Sequence, residues 1–284
     1  QESPRGTGDA VASGLTALPE SGLVVVMAGD APLFRAQTLQ TLLAAHDEDA
    51  WVTVLTAVVD DAARYGRLVR DEECRPLRIV EASEATPDEL AIREINTGAY
   101  VFDIAFLRRS LPTLKPHAHK QEIYLTDVLE LAAAQGRARA VIHDDVAEIM
   151  GVNDRWALTE ARAILKERVL RGHALEGVTL EDPGSTLIEM EVHLERDVTV
   201  GPGCVIRRGT RVGEGTTLGP GAVLDAAQVG ACVQILAYSS LEQAEVSDGA
   251  RIGPYARLRP ESRIGAEARV GNFVEVKKST LGPG

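Results

Sequence analysis

The sequence predicts two domains of different class, an α/β layer over residues 1–153 and a parallel β-helix over 177–284, joined by a linker helix over 154–176. Three observations carry this. Leu23-Val24-Val25-Val26-Met27 is a run of five apolar residues, three of them β-branched, that reads as a strand buried on both faces of a parallel sheet. Strand-like and helix-like stretches then alternate as far as the long helix, which implies a mostly parallel sheet covered by helices. From Ile188 onward aliphatic residues recur every six positions, the period of a hexapeptide solenoid.

In chain order, Arg5-Gly6-Thr7-Gly8-Asp9-Ala10 precedes a helical pattern at Val11, Leu15 and Leu18. After the strand to Ala28 comes Gly29-Asp30-Ala31-Pro32-Leu33, then a helix over Thr38–His46 and a second apolar strand over Trp51–Asp60. Tyr65–Val69 and Leu77–Glu81 read as a hairpin pair, and Glu94–Phe102 as a strand with a polar start. Ile123–Ala134 has helical spacing, Val141-Ile142 opens another strand, and Gly151-Val152-Asn153-Asp154-Arg155 opens the long helix. In the second half the inward series is Ile188, Leu194, Val200, Ile206, Val212, Leu218 and Leu224. It continues through Val229, Ile235, Leu241, Val246, Ile252, Leu258, Ile264, Val270 and Val276 to Leu281. Glycine often follows the aliphatic residue, as in Val212-Gly213 and Leu218-Gly219, and is expected to permit a tight corner. Three six-residue steps close one triangular coil, with exposed faces that favour oligomerisation.

Composition narrows the function. The net charge of −12 argues against a nucleic-acid-binding surface, but not against a nucleotide substrate, because a bound divalent cation reverses the local sign of a site. Cys74, Cys204 and Cys232 match no zinc or redox spacing and fit reduced thiols in a cytoplasm. No apolar stretch is long enough to cross a membrane. An aspartate just past a strand end, beside a small residue, suits a hard cation that carries phosphates; the plainer reading of Asp30 is a helix cap. Gly6 and Thr7 at a helix start offer backbone N–H groups to a base edge or a phosphate, or simply cap that helix.

The segments Arg5–Gly8, Gly29–Leu33, Tyr65–Arg70, Ile79–Glu81, Glu94–Gly98, Glu122–Asp127 and Gly151–Arg155, followed by Ala256–Pro260 and Val270–Lys278, come in an order and spacing that resemble a known family. It is the bacterial bifunctional N-acetylglucosamine-1-phosphate uridyltransferase/glucosamine-1-phosphate acetyltransferases. The resemblance implies a Rossmann-like nucleotidyltransferase domain and a left-handed parallel β-helix. It implies uridylyl transfer from UTP to N-acetylglucosamine 1-phosphate, giving UDP-N-acetylglucosamine and pyrophosphate, with Mg²⁺ held by Asp30 and Asn153. Gln1, Gly6 and Thr7 would read the uracil edge, Gly29 would lie against the nucleotide beside Asp30, and Gly66, Glu81, Asn96 and Thr126 would bind the sugar phosphate. Ala28 stands where the family carries a larger residue, so a contact there would be backbone only.

For the second half the resemblance implies acetyl-CoA-dependent N-acetylation of glucosamine 1-phosphate, with Arg259 and Lys277 on its phosphate and pockets between the subunits of a cytoplasmic homotrimer. The family's catalytic histidine would lie beyond Gly284 and its phosphate loop ahead of Gln1, so this stretch alone is expected to be nearly inactive. Plainer readings stand beside these: Asn153 as the cap of the long helix, Glu81 as a surface carboxylate, Asn96-Thr97-Gly98 as a turn, Tyr124 as a core side chain. Two rivals keep the architecture, a glucose-1-phosphate adenylyl- or thymidylyltransferase and a non-catalytic assembly subunit.

Overall fold

A computed structural model describes residues 5–117 and 121–284. The chain divides into two compact units, residues 1–161 and 162–284.

The first unit is built on a six-stranded mixed sheet. Its strands are β1 (Leu23–Met27), β2 (Val52–Val58), β3 (Arg67–Arg70), β4 (Pro76–Val80), β5 (Glu94–Asp103) and β6 (Ala138–Ile142). The spatial order is β4-β3-β5-β2-β6, with β1 also on β5. The expected mostly parallel sheet is corrected here. Among the described residues of this sheet only β2 and β6 pair in parallel, and β5 runs antiparallel to β1, β2 and β3. The reading of β1 as buried on both faces is corrected too: Leu23, Val25 and Met27 are exposed while Val24 and Val26 pack on the core, because among the described residues β5 is the only strand paired with β1. The hairpin of β3 and β4 forms as expected.

Short helices flank the sheet: α1 (Thr7–Leu15), α2 (Ala36–Ala44), α3 (Pro87–Leu90), α4 (Ile104–Ser110) and α5 (Asp127–Ala133). The core on one side gathers Leu15, Val52, Val54, Tyr100, Phe102, Phe106, Val128 and Leu129. Helix α5 starts four residues later than the periodicity suggests, because residues 121–124 are drawn into backbone bonds with the start of α1: Ile123 N–H donates to Arg5 O at 2.8 Å and Gly8 N–H to Ile123 O at 2.8 Å. The long helix α6 (Arg155–Leu175) is capped by Asp154, whose Oδ1 accepts from Ala157 N–H at 2.8 Å.

The second unit contains a three-sided parallel solenoid of six coils, made of three six-stranded parallel sheets. Thr199 pairs with Thr217, Thr217 with Gln234 and Gln234 with Arg251, so each coil stacks its aliphatic residue on the one before. Every aliphatic residue of the six-residue series from Ile188 to Val276 is buried inside, and Leu281 is partly buried. Side chains that bury so much apolar surface supply the driving force that such short strands lack. Hydroxyls at the inner corners bond backbone groups of the next coil: Thr216 Oγ1 donates to Gly230 O at 2.8 Å and accepts from Val233 N–H at 3.0 Å.

The role expected of the glycines changes. Gly213 and Gly219, which follow the inward residue, do not adopt left-handed backbone. They are required because a Cβ there would come within 2.6 Å of Gly230 C and 2.8 Å of Ala237 N of the neighbouring coil. The left-handed corner falls two residues later, at positions such as Gly215 and Gly221, and also at Tyr238, Tyr255 and Phe273.

Candidate active site

Strands β1, β2 and β6 all run antiparallel to β5 or parallel to one that does, so their carboxyl ends share one edge. Along β5, β1 stops pairing at Ala99 and β3 begins at Ile95. The gap between them is bracketed by two backbone bonds, Ala28 N–H to Gly98 O at 3.0 Å and Asn96 N–H to Gly66 O at 2.9 Å. A cleft of about 650 Å³ opens there. It is lined by Asp30 from the turn after β1, Ala63 to Gly66 from the loop after β2, Glu81 after β4, Asn96 to Gly98 from β5, and Gly151 and Asn153 after β6. Ligands of open α/β sheets bind outside the carboxyl ends of strands, and the topology creates such a crevice here.

The β5 segment is bulged. Its partner β2 pairs Val54 with Tyr100 but Thr56 with Asn96, so β5 carries two surplus residues. Gly98, at φ +78°, absorbs the kink, and Thr97 Oγ1 donates to Leu55 O at 2.8 Å in place of a ladder bond. The turn reading of Asn96-Thr97-Gly98 and the site reading are therefore both met: Asn96 Oδ1 accepts from Gly98 N–H at 3.0 Å while Asn96 lines the cleft.

Asp30 caps no helix; α2 begins at Ala36 behind Arg35. Val152 N–H donates to Asp30 O at 2.7 Å, tying the turn after β1 to the loop that carries Asn153. A Cβ on Gly151 would sit 3.6 Å from Asn153 Nδ2 and 3.8 Å from Asp30 Oδ2, so both side chains crowd the same glycine. A second tie lies deeper. Glu148, 1% exposed, pairs with Arg35 Nε at 2.9 Å and accepts from Arg35 N–H at 3.1 Å and Thr38 Oγ1 at 2.7 Å. Among the described residues no three His, Cys, Asp or Glu side chains cluster as a metal cage. One carboxylate and one amide, both hard oxygen donors, fit a divalent ion that takes its other ligands from phosphates and water.

On the opposite wall Gly66 stands beside Glu81: a Cβ on it would meet Ile79 Cγ2 at 3.0 Å and lie in ordinary contact with Glu81 Oε2 at 3.6 Å. Thr126 Oγ1 donates to Glu81 Oε1 at 3.4 Å and so borders the cleft without lining it. Tyr124 is buried against His117, their rings 4.5 Å apart. Burial alone would disfavour a proton on His117, but Asp127 at 2.8 Å and Glu84 at 3.0 Å outweigh it and raise its pKa above the usual 6.5.

Not every expected residue reaches the cleft. Thr7 Oγ1 accepts from Leu125 N–H at 3.0 Å, and Gly6, at φ +101°, packs on Ile123, so neither lines this cavity. Gly29 borders open space and does not line this cleft. Gln1 lies outside the described residues. Sequence reasoning passed over Ala63, Arg64, Thr97 and Tyr100. The alternation of β5 was the signal for Tyr100, which shares a face with Asn96.

In the solenoid, Arg259 N–H donates to Val276 O at 2.9 Å and Leu258 pairs with Val276, which sets Arg259 beside Lys277 on the outside of adjacent coils. Arg259 Nη1 lies 3.4 Å from Glu275, and Lys277 is exposed.

A crevice at strand ends, lined by the carboxylates of Asp30 and Glu81 and by converging amides, on a chain that continues into a hexapeptide solenoid, defines the class: an α/β ligand-binding domain followed by a parallel β-solenoid. Residues 1–156 match the family model described as Nucleotidyl transferase, and residues 191–226 match Bacterial transferase hexapeptide (six repeats). The chain belongs to the nucleotidyl transferase family. It is 44% identical over 219 residues to the Bifunctional protein GlmU of Mycolicibacterium vanbaalenii, covering 75% of this chain and 44% of that protein. The proteins of the same description from Mycobacterium tuberculosis (44% over 217 residues) and Mycobacterium sp. strain KMS (45% over 218 residues) cover 75% of this chain, and 44% and 43% of their own lengths. The chain thus spans under half the length of these relatives.

Proposed function

We propose that the protein carrying this chain transfers a uridylyl group from UTP to N-acetylglucosamine 1-phosphate and N-acetylates glucosamine 1-phosphate with acetyl-CoA. The observation that carries the first activity is the convergence of Asp30 and Asn153, held by the Val152–Asp30 bond, on the cleft that also presents Glu81 and Asn96. In that reaction an oxygen of the sugar phosphate attacks the α-phosphorus of UTP, the bond to the β-phosphate oxygen breaks, and pyrophosphate leaves. The protein's task is to place two anions in line. Asp30 and Asn153 would hold Mg²⁺, which when bound neutralises the triphosphate. Glu81 accepts from sugar hydroxyl or amide groups, and Asn96 and the backbone at Gly66 face the same ligand. Gly6, Thr7 and Gly29, outside the cleft lining, would meet only the far end of the nucleotide.

For the second activity, support comes from the Arg259–Lys277 pair, two cations on neighbouring coils, a spacing that suits one phosphate. A homotrimer is supported by a ladder of exposed aromatic rings. Tyr238, Tyr255 and Phe273 stack with centroids 5.3 and 5.2 Å apart, a surface that a second copy would cover. The experiment is a comparison of nucleotides with the full-length protein. UTP with N-acetylglucosamine 1-phosphate should release pyrophosphate far faster than ATP or dTTP does; the reverse order overturns the assignment.

A further inference from the structure

The Asn96 amide is not free to choose its orientation. Its Oδ1 accepts two hydrogen bonds, from Gly98 N–H at 3.0 Å and from Tyr100 O–H at 2.9 Å. A backbone N–H can only donate, so the atom facing it must be the carbonyl oxygen, and the phenol must then donate as well. No described residue accepts from Nδ2, and Asn96 lines the cleft. The amide therefore presents N–H groups to whatever occupies the cavity.

Tyr100 is built for this. It is 3% exposed, its ring stacks on Phe102 at 5.4 Å, and it stands four residues along β5 from Asn96, brought back beside it by the bulge. Burial raises its pKa well above the usual value, opposed by the Asn96 bond and reinforced by the nearby charge of Glu81, so the phenol remains a donor across the working pH range. Glu81, on the other side of Gly66 from Asn96, is an acceptor. The cleft thus offers a donor at Asn96 and an acceptor at Glu81.

We propose that Tyr100 is a positioning residue that locks Asn96 as a donor, so that this wall of the cleft binds an acceptor oxygen of the sugar phosphate and gives no partner to a donor-only group such as an ammonium. This rests on the reading of the cleft as the sugar-phosphate site. Without the phenol, Oδ1 keeps only the Gly98 bond and the side chain gains rotational freedom that binding must then remove.

The test is a double-mutant cycle in the full-length protein, read by calorimetric binding of N-acetylglucosamine 1-phosphate and of UTP. Tyr100→Phe, which keeps the ring, should weaken sugar-phosphate binding about fivefold, leave UTP binding unchanged, and have no further effect in an Asn96→Ala background. An effect of Tyr100→Phe that persists in that background, or that falls equally on UTP, overturns the proposal, since packing would then be its cause. No effect of Tyr100→Phe where Asn96→Ala weakens binding also overturns it, while the reading of the cleft survives. If Asn96→Ala leaves sugar-phosphate binding intact, that reading itself fails. A check without a variant is the Asn96 side-chain amide proton pair in the unmodified protein. It should shift on saturation with sugar phosphate and stay in place with UTP; an unmoved pair overturns the proposal.

Discussion

At the scale of single residues, the site is a set of small choices of hydrogen-bond polarity. Asp30 is the one carboxylate on its wall of the cleft, so Asp30→Asn should weaken divalent-ion binding at least tenfold, read by Mn²⁺ paramagnetic resonance, with the melting temperature nearly unchanged. His117 gives a pH signature. Its folded-state pKa is raised, so the stabilisation it gains from Asp127 and Glu84 is complete below about 6.5 and is lost as the pH rises through the raised value. Amide protection factors at residues 122–126 should therefore fall over that window, and this fall should vanish in His117→Ala. How well the sequence revealed these residues depended on what each one touches. Asp30 was legible from its place just past an apolar strand, whereas Glu81, Asn96 and Asn153, each with a plainer structural reading, were singled out only by the family resemblance. Thr7 lies outside the cleft lining, and its hydroxyl accepts from Leu125 N–H, a partner 118 residues away. No local pattern discloses such a bond.

At the scale of elements, two loops far apart in sequence are fastened to one another. The buried Glu148 receives Arg35 and Thr38 from the start of α2, just as Val152 fastens to Asp30. Glu148→Ala takes the acceptor from the buried Thr38 hydroxyl and from Arg35 Nε and N–H, while the guanidinium keeps its pair with Asp145, which should cost roughly 1–3 kcal/mol in urea unfolding. It should also weaken Mn²⁺ binding, because the Asn153 loop loses a tether. The strands show why element type was easier to read than pairing. The apolar run of β1 marks a strand correctly, but its burial is decided by neighbours, and β5 reverses the direction that the alternation of helices and strands suggested. The bulge in β5 was equally hidden, since Asn-Thr-Gly reads as an ordinary turn until Val54 and Thr56 show that the ladder continues on both sides of it.

At the scale of the whole molecule, the solenoid was the most legible part, because its inward positions are set by one short period repeated along more than a third of the chain. The outward face carries information that the period does not. If the ladder of Tyr238, Tyr255 and Phe273 is covered by a second copy, Phe273→Asp should shift the full-length protein from trimer toward monomer in sedimentation velocity, without loss of β signal in circular dichroism. The same stacking has a mechanical corollary. Each coil advances the stack by about one strand spacing, 4.8 Å, and touches only the coils above and below. The solenoid is thus a ruler with fixed graduations: removing a whole coil ahead of Arg259 would shorten it by one division and leave Arg259 over Lys277, whereas removing a few residues would turn every later side chain away from its column.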